Sequence, residues 1–156
     1  RLTPGQTFTM MNDILSENND ACMFVTALCG NINLDTGSIT MANAGHMSPI
    51  IKQDAQTNEH EIKGATALGL MEAIDYPDIE FKLDNNSSLV MYTDGISEAH
   101  DSEDGQYTDE RLLELVTELA PMSVEDGGNK IIESVFTFAA GTEQFDDITL
   151  LIIHFE

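Results

Sequence analysis

The stretch Leu89-Val90-Met91-Tyr92-Thr93-Asp94-Gly95 decides how this chain is read. Its four successive apolar residues predict a strand buried on both faces. Thr93-Asp94-Gly95 ends that strand with turn-forming residues. A second apolar strand is expected from Ile148 to Phe155, directly after the acidic turn Asp146-Asp147. One acidic turn therefore follows the C-terminal end of a strand, and the other precedes the N-terminal end of a strand. If the two strands are antiparallel neighbours, Asp94 and Asp146 share one edge of a sheet although they lie 52 residues apart. Carboxylate oxygens without clustered His or Cys suit the hard cations Mg²⁺ and Mn²⁺. Spacing alone leaves a plainer alternative open, in which Asp94-Gly95 is only a turn and Asp146 only a strand boundary.

Working outward, the start of the chain reads as a helix. Thr3 can cap it, Pro4 suits its first position and Gln6 can close a capping box. The helix is expected to reach about Ser16, with Met10, Met11, Ile14 and Leu15 as its apolar stripe. A strand over 23–34, the turn Asp35-Thr36-Gly37 and a return strand over 39–42 form a hairpin. Ile50 and Ile51 begin a short strand, and residues 53–60 read as a polar loop. Ile79, Phe81 and Leu83 alternate with polar residues as a half-buried strand. Residues 98–110 read as an acidic loop. Helices are expected over 109–120 and 123–139, separated by Pro121, with Ser123 and Asp126 capping the second. Strands and helices segregate along the chain, which predicts an α+β fold in one domain spanning 1–156.

The 156 residues carry 28 acids against 6 bases, a net charge of −22. That surface is a poor partner for nucleic acid or an anionic membrane, both of which bind through Lys and Arg. No apolar run approaches the roughly 20 residues of a membrane span. The opening RLTPGQTF lacks a charged-then-apolar signal pattern, so the expectation is a cytoplasmic domain. Cys22 and Cys29, seven apart on what reads as one strand, would face opposite ways and stay reduced.

Five segments carry a family resemblance: MFVTALCGNINLDTGSITMANAGHMSP at 23–49, ALGL at 67–70, LVMYTDGISEA at 89–99, DGQYTDERLLELV at 104–116 and QFDDITLLII at 144–153. In order and spacing the chain resembles the SpoIIE-like group of the PPM phosphatases, bacterial relatives of protein phosphatase 2C. The resemblance implies an antiparallel β-sandwich flanked by helices, with two Mn²⁺ or Mg²⁺ ions in a carboxylate cluster at one end. By position, Asp94 matches the metal aspartate of the TDG motif and Asp146 that of the D-D/N-x-T motif. Asp147 and Gly95 flank these ligands and are expected to support them. The implied activity is hydrolysis of phosphoserine or phosphothreonine by water activated between two cations.

The resemblance also implies a phosphorylated substrate of the STAS type, an anti-sigma-factor antagonist, and an upstream sensory or receiver domain. Two further metal aspartates of the family, in motifs resembling GGDxxD and GDVxGxG, have no match here. The expectation is a domain stretch without its first third, with half of the ligands, weak metal binding and no turnover alone. Its open sheet edges would invite pairing with a second copy. The rival expectation is a degenerate phosphatase module that binds a partner without catalysis.

His46, in Asn43-Ala44-Gly45-His46, admits two roles: donor or proton carrier near the phosphate and metals, or a structural hydrogen bond at the strand end. The structural role is favoured. His60, His100 and His154 show no ligand spacing. An EF-hand reading of 100–111 fails, because His100 and Arg111 would fill its first and last ligand positions. Met10, Met11, Met23 and Met41 are expected to fill core gaps, and Ile131, Ile132, Val135, Phe136 and Ala139 to form a core-facing helix stripe.

Overall fold

The computed structural model describes residues 1–53, 56–119, 123–144 and 146–156. Along them run α1 (Pro4–Ser16), β1 (Ala27–Ile32), β2 (Ser38–Ala44), β3 (Ile50–Gln53), β4 (Gln56–Glu59), β5 (Ile79–Lys82), β6 (Ser87–Tyr92), α2 (Asp94–Ser97), α3 (Asp109–Glu118), α4 (Val124–Phe138) and β7 (Leu150–Phe155). They group into two compact units: Arg1–Ser48 with Glu61–Asp84, and Pro49–His60 with Asn85–Glu156. Each combines helix with antiparallel sheet, as the α+β expectation requires.

In the first unit, α1 begins where its capping box places it. Gln6 N–H donates to Thr3 Oγ1 at 3.2 Å and Thr3 N–H to Gln6 Oε1 at 3.1 Å. Pro4 occupies the first turn, where no intrahelical donor is needed. The sheet has the order β1-β2-β5, all antiparallel. Ile32 pairs with Ile39 around the expected Asp35-Thr36-Gly37 turn. Phe8 of α1 packs with Ala42, Ala44, Leu68 and Tyr76, and its ring meets Tyr76 edge-on at 5.8 Å. Buried Asn12 is satisfied by three partners, donating to Met71 O and accepting from Gly69 N–H and Tyr76 O–H.

Several expectations for this unit are corrected. The stripe of Met10, Met11, Ile14 and Leu15 is exposed, and α1 buries Pro4, Gly5, Phe8 and Asn12 instead. Met23 is likewise exposed, so of the four methionines expected in the core only Met41 is buried. The expected strand over 23–34 is shorter. Cys22 lies before it in a turn, with φ +50°, and only Cys29 is on β1. Both cysteines are free thiols.

In the second unit, the sheet order is β4-β3-β6-β7, again antiparallel. β6 is an inner strand with Leu89, Val90 and Tyr92 buried, as its apolar run predicts. α3 packs on β3 and β4, and α4 on β7. Leu112, Val116, Ile131 and Val135 fill the space beneath them. Ser123 Oγ accepts from Asp126 N–H at 3.0 Å and caps α4. Lys52 Nζ donates to the carbonyls of Val116 (2.8 Å), Thr117 (3.0 Å) and Leu119 at the C-terminal end of α3. That end of the helix carries orphan carbonyls and a negative dipole, so a cation is favoured there.

Within the stretch 53–60, expected as a loop, Gln56–Glu59 forms β4 and pairs antiparallel with β3. Asp54 and Ala55 in that stretch, and Pro121 between α3 and α4, lie outside the described residues. Phe136 is 53% exposed and leaves the core stripe expected for α4. No helix among the described residues is long and apolar enough to cross a membrane.

Candidate functional site

The pairing of β6 with β7 turns two distant acidic segments into neighbours. Tyr92 sits opposite Leu150, the last pair of an antiparallel ladder that begins at Ser87 and Phe155. Beyond that pair, β6 continues into Thr93-Asp94-Gly95 while the chain entering β7 passes through 146–149. Thr93 N–H donates to Thr149 O at 3.1 Å, which extends the contact past the strand ends.

Thr93 then clasps the two segments with its side chain. Its Oγ1 donates to Asp147 O at 2.8 Å and accepts from Thr149 N–H at 2.9 Å. One hydroxyl satisfies two backbone groups that the end of the ladder would leave unpaired. Gly95 makes the approach closer still. A Cβ there would lie 2.5 Å from Asp147 O and 3.2 Å from Asp146 O, inside van der Waals contact. Gly95 is thus required by proximity, and the TDG sequence is the local solution for seating α2 on the 146–147 backbone.

The two aspartates project from this junction into solvent. Asp94, the first residue of α2, is exposed, and no hydrogen bond holds its carboxylate among the described residues. Asp146 is also exposed; its Oδ1 accepts from Asp147 N–H at 2.6 Å, and its carbonyl accepts from Gln144 Nε2 at 2.8 Å. Asp147 contributes its backbone to the clasp rather than its side chain. The structure therefore brings together Asp94, Gly95, Asp146 and Asp147. Thr93 and Gln144 join them without having been singled out in the sequence.

His46 belongs to the other unit. Its Nδ1 lies 3.2 Å from Thr26 Oγ1 and its backbone N–H donates to Asn43 Oδ1 at 2.8 Å. Asn43, 6% exposed, returns bonds from Nδ2 to His46 O and Ile62 O. This is the strand-end hydrogen bonding expected of a structural histidine. His154 Nδ1 likewise pairs with Ser88 Oγ at 3.0 Å.

Whether these residues suit a metal depends on donor type and number. Exposed carboxylate oxygens are the right type for Mg²⁺ or Mn²⁺. Among the described residues, no group of three or more His, Cys, Asp or Glu side chains is placed to hold an ion. In number and type, two carboxylates match what Mg²⁺ commonly takes from a protein, where waters and substrate phosphates supply the rest. The resemblance expects this chain to carry half of the ligands of a two-ion cluster, and Asp94 and Asp146 are the two it names.

Comparison with known proteins adds a family and a fold. The family described as Stage II sporulation protein E (SpoIIE) matches residues 1–156. Protein IcfG of Synechocystis sp. is 30% identical over 148 residues, covering 93% of this chain and 23% of that protein. Phosphoserine phosphatase RsbU of Bacillus subtilis is 28% identical over 152 residues, covering 96% of this chain and 44% of that protein. The chain thus spans less than half the length of these curated relatives. Among solved structures, the SiaA-PP2C domain of Pseudomonas aeruginosa superposes with a TM-score of 0.84 at 18% identity, over 99% of this chain and 61% of that one. The phosphatase domain of Bacillus subtilis SpoIIE superposes with a TM-score of 0.72 at 19% identity, over 96% of this chain and 65% of that one. The fold is that of PP2C phosphatase domains.

Proposed function

The chain belongs to the SpoIIE family, and on that premise we propose that it forms part of a metal-dependent phosphatase domain acting on phosphoserine or phosphothreonine in a regulatory protein. The observation that carries this reading is the antiparallel pairing of β6 with β7, which sets Asp94 and Asp146 at one end of one sheet. The name of RsbU, a phosphoserine phosphatase, supports the reaction class. A solved SpoIIE phosphatase domain described as Mn presoaked supports the choice of cation.

In this reading Asp94 and Asp146 hold Mn²⁺ or Mg²⁺. Such an ion stabilises charge on the phosphoryl oxygens and lowers the pKa of the attacking water. The chain's own residues set the geometry. Asp147 N–H orients the Asp146 carboxylate, the Thr93 hydroxyl locks the two turns together, and Gly95 lets α2 sit against them. The open position of both aspartates suits a phosphorylated segment of a folded protein. We assign the substrate to the STAS type and the setting to a cytoplasmic signalling protein with an upstream sensory or receiver domain, by family resemblance.

The test is turnover of p-nitrophenyl phosphate and of a phosphoserine protein by the full-length protein with Mn²⁺. Asp94→Asn and Asp146→Asn should each reduce kcat/KM by about 100-fold or more, since a catalytic ion contributes several kcal/mol to the transition state. Activity unchanged in both variants would sink the assignment. The rival reading is a partner-binding module without turnover. It predicts no metal-dependent turnover in the full-length wild type.

A further inference from the structure

Beside the aspartates the second unit carries a slot of about 90 Å³. Gly95 and Asp146 are among its lining residues, so the slot adjoins the candidate site. Its apolar lining comes from Val135 of α4, Ala139 just after that helix, and Ile148 from the approach to β7. Phe136 lies at the same place and is 53% exposed, although Ile131 and Val135 of the same helix are fully buried. Glu98 and Glu143, both exposed, also line it, beside Thr142 and Gln144. No Lys or Arg is among the described lining residues, and His100 is the one potential cation there.

A slot lined by apolar side chains and by two exposed carboxylates matches one kind of side chain. The methylene stem of a lysine or arginine is apolar and packs along apolar walls, while its charged head stays at the wetter rim. An exposed aromatic at the same place adds attraction for a cation. A carboxylate side chain would meet Glu98 and Glu143 with like charge, and a plain aliphatic one would leave them unpaired. The net charge of −22 reinforces the same preference at long range.

We propose that this slot is a specificity pocket that takes a lysine or arginine close to the phosphorylated residue of the protein substrate. The proposal rests on the phosphatase reading above, and it names a feature of the substrate that the reaction class leaves open. Asp146 is committed to the cation in that reading, so Glu98 and Glu143 are the groups that select the basic side chain. The slot adjoins the site, so the selected residue lies within a few positions of the phosphoserine.

The test uses the full-length protein with Mn²⁺ and phosphoserine peptides carrying lysine, norleucine or glutamate in turn at each position from three before to three after the phosphoserine. At one or two positions kcat/KM should fall in the order lysine, norleucine, glutamate, with lysine ahead of glutamate by about tenfold. Glu98→Gln with Glu143→Gln should collapse that ratio towards one. Glu143→Lys should reverse it in favour of glutamate, a gain that misfolding cannot produce. Equal rates for the three peptides at every position, or a lysine preference unmoved by all three substitutions, would overturn the proposal. If the protein turns over neither p-nitrophenyl phosphate nor any peptide, the phosphatase reading fails on its own. Fluorescence anisotropy with the same peptides then decides the pocket separately, a lysine preference in binding upholding it and equal binding overturning it.

Discussion

At the scale of single residues, Gly95 is the position on which the site depends most narrowly. Its missing side chain lets α2 rest 2.5 Å, measured from a would-be Cβ, from Asp147 O. Gly95→Ala must push the 93–97 turn away from the 146–147 backbone, at a cost of about 2–3 kcal/mol. A lower melting temperature together with loss of metal response is the expected outcome in thermal denaturation. Tyr92, just before the turn, gives a pH-dependent counterpart. Burial, then the hydrogen bond it donates to Asp109 Oδ1 at 2.9 Å and the charges of Asp109, Glu59 and Glu110, push its phenol far above the usual range. The folded protein therefore holds this proton more tightly than the unfolded chain does. The stabilisation is complete below the unfolded tyrosine pKa of about 10 and is lost as pH rises above it. Denaturant titrations from pH 8 to 11 should show stability falling at the alkaline end in wild type, and falling less in Tyr92→Phe. The shared sheet edge of Asp94 and Asp146 was legible in the sequence, because strand hydrophobicity located the turns that carry them, while their role as ligands was an expectation from resemblance. The Thr93 clasp was not, because its acceptor lies 54 residues away and only the β6–β7 register supplies it.

At the scale of elements, local chemistry read well and facing read poorly. The Thr3–Gln6 capping box, the Asp35-Thr36-Gly37 turn and the Ser123 cap are short-range devices, and each forms as its residues predict. Periodicity showed that α1 has an apolar stripe, but not what would cover it. The burial of Phe8 and polar Asn12 instead is a tertiary outcome, fixed by Tyr76, Gly69 and Met71 from distant sequence. β4, Gln56–Glu59, carries no strand periodicity and exists through its pairing with β3. The same holds for Lys52, whose ammonium group satisfies three carbonyls at the end of α3 across 64–67 residues of sequence. Lys52→Met should cost about 1.5–3 kcal/mol, the usual range for charge-assisted bonds. Hydrogen exchange should then show the last turn of α3 opening first, with β6 and β7 protected as before.

At the scale of the whole molecule, the chain is an acidic member of the SpoIIE family with the PP2C fold. Its two metal candidates come from the two segments that β6 and β7 join, so metal affinity should depend on both together. The measurement that tests this most directly is Mn²⁺ binding by the full-length protein, followed by electron paramagnetic resonance, for wild type, Asp94→Asn, Asp146→Asn and the double variant. If the two carboxylates share an ion, each single substitution weakens binding by about 10-fold or more, and the double variant loses less than the sum of the two, as residues in one network do. Wild-type affinity in both single variants, or strictly additive losses, would contradict a shared site.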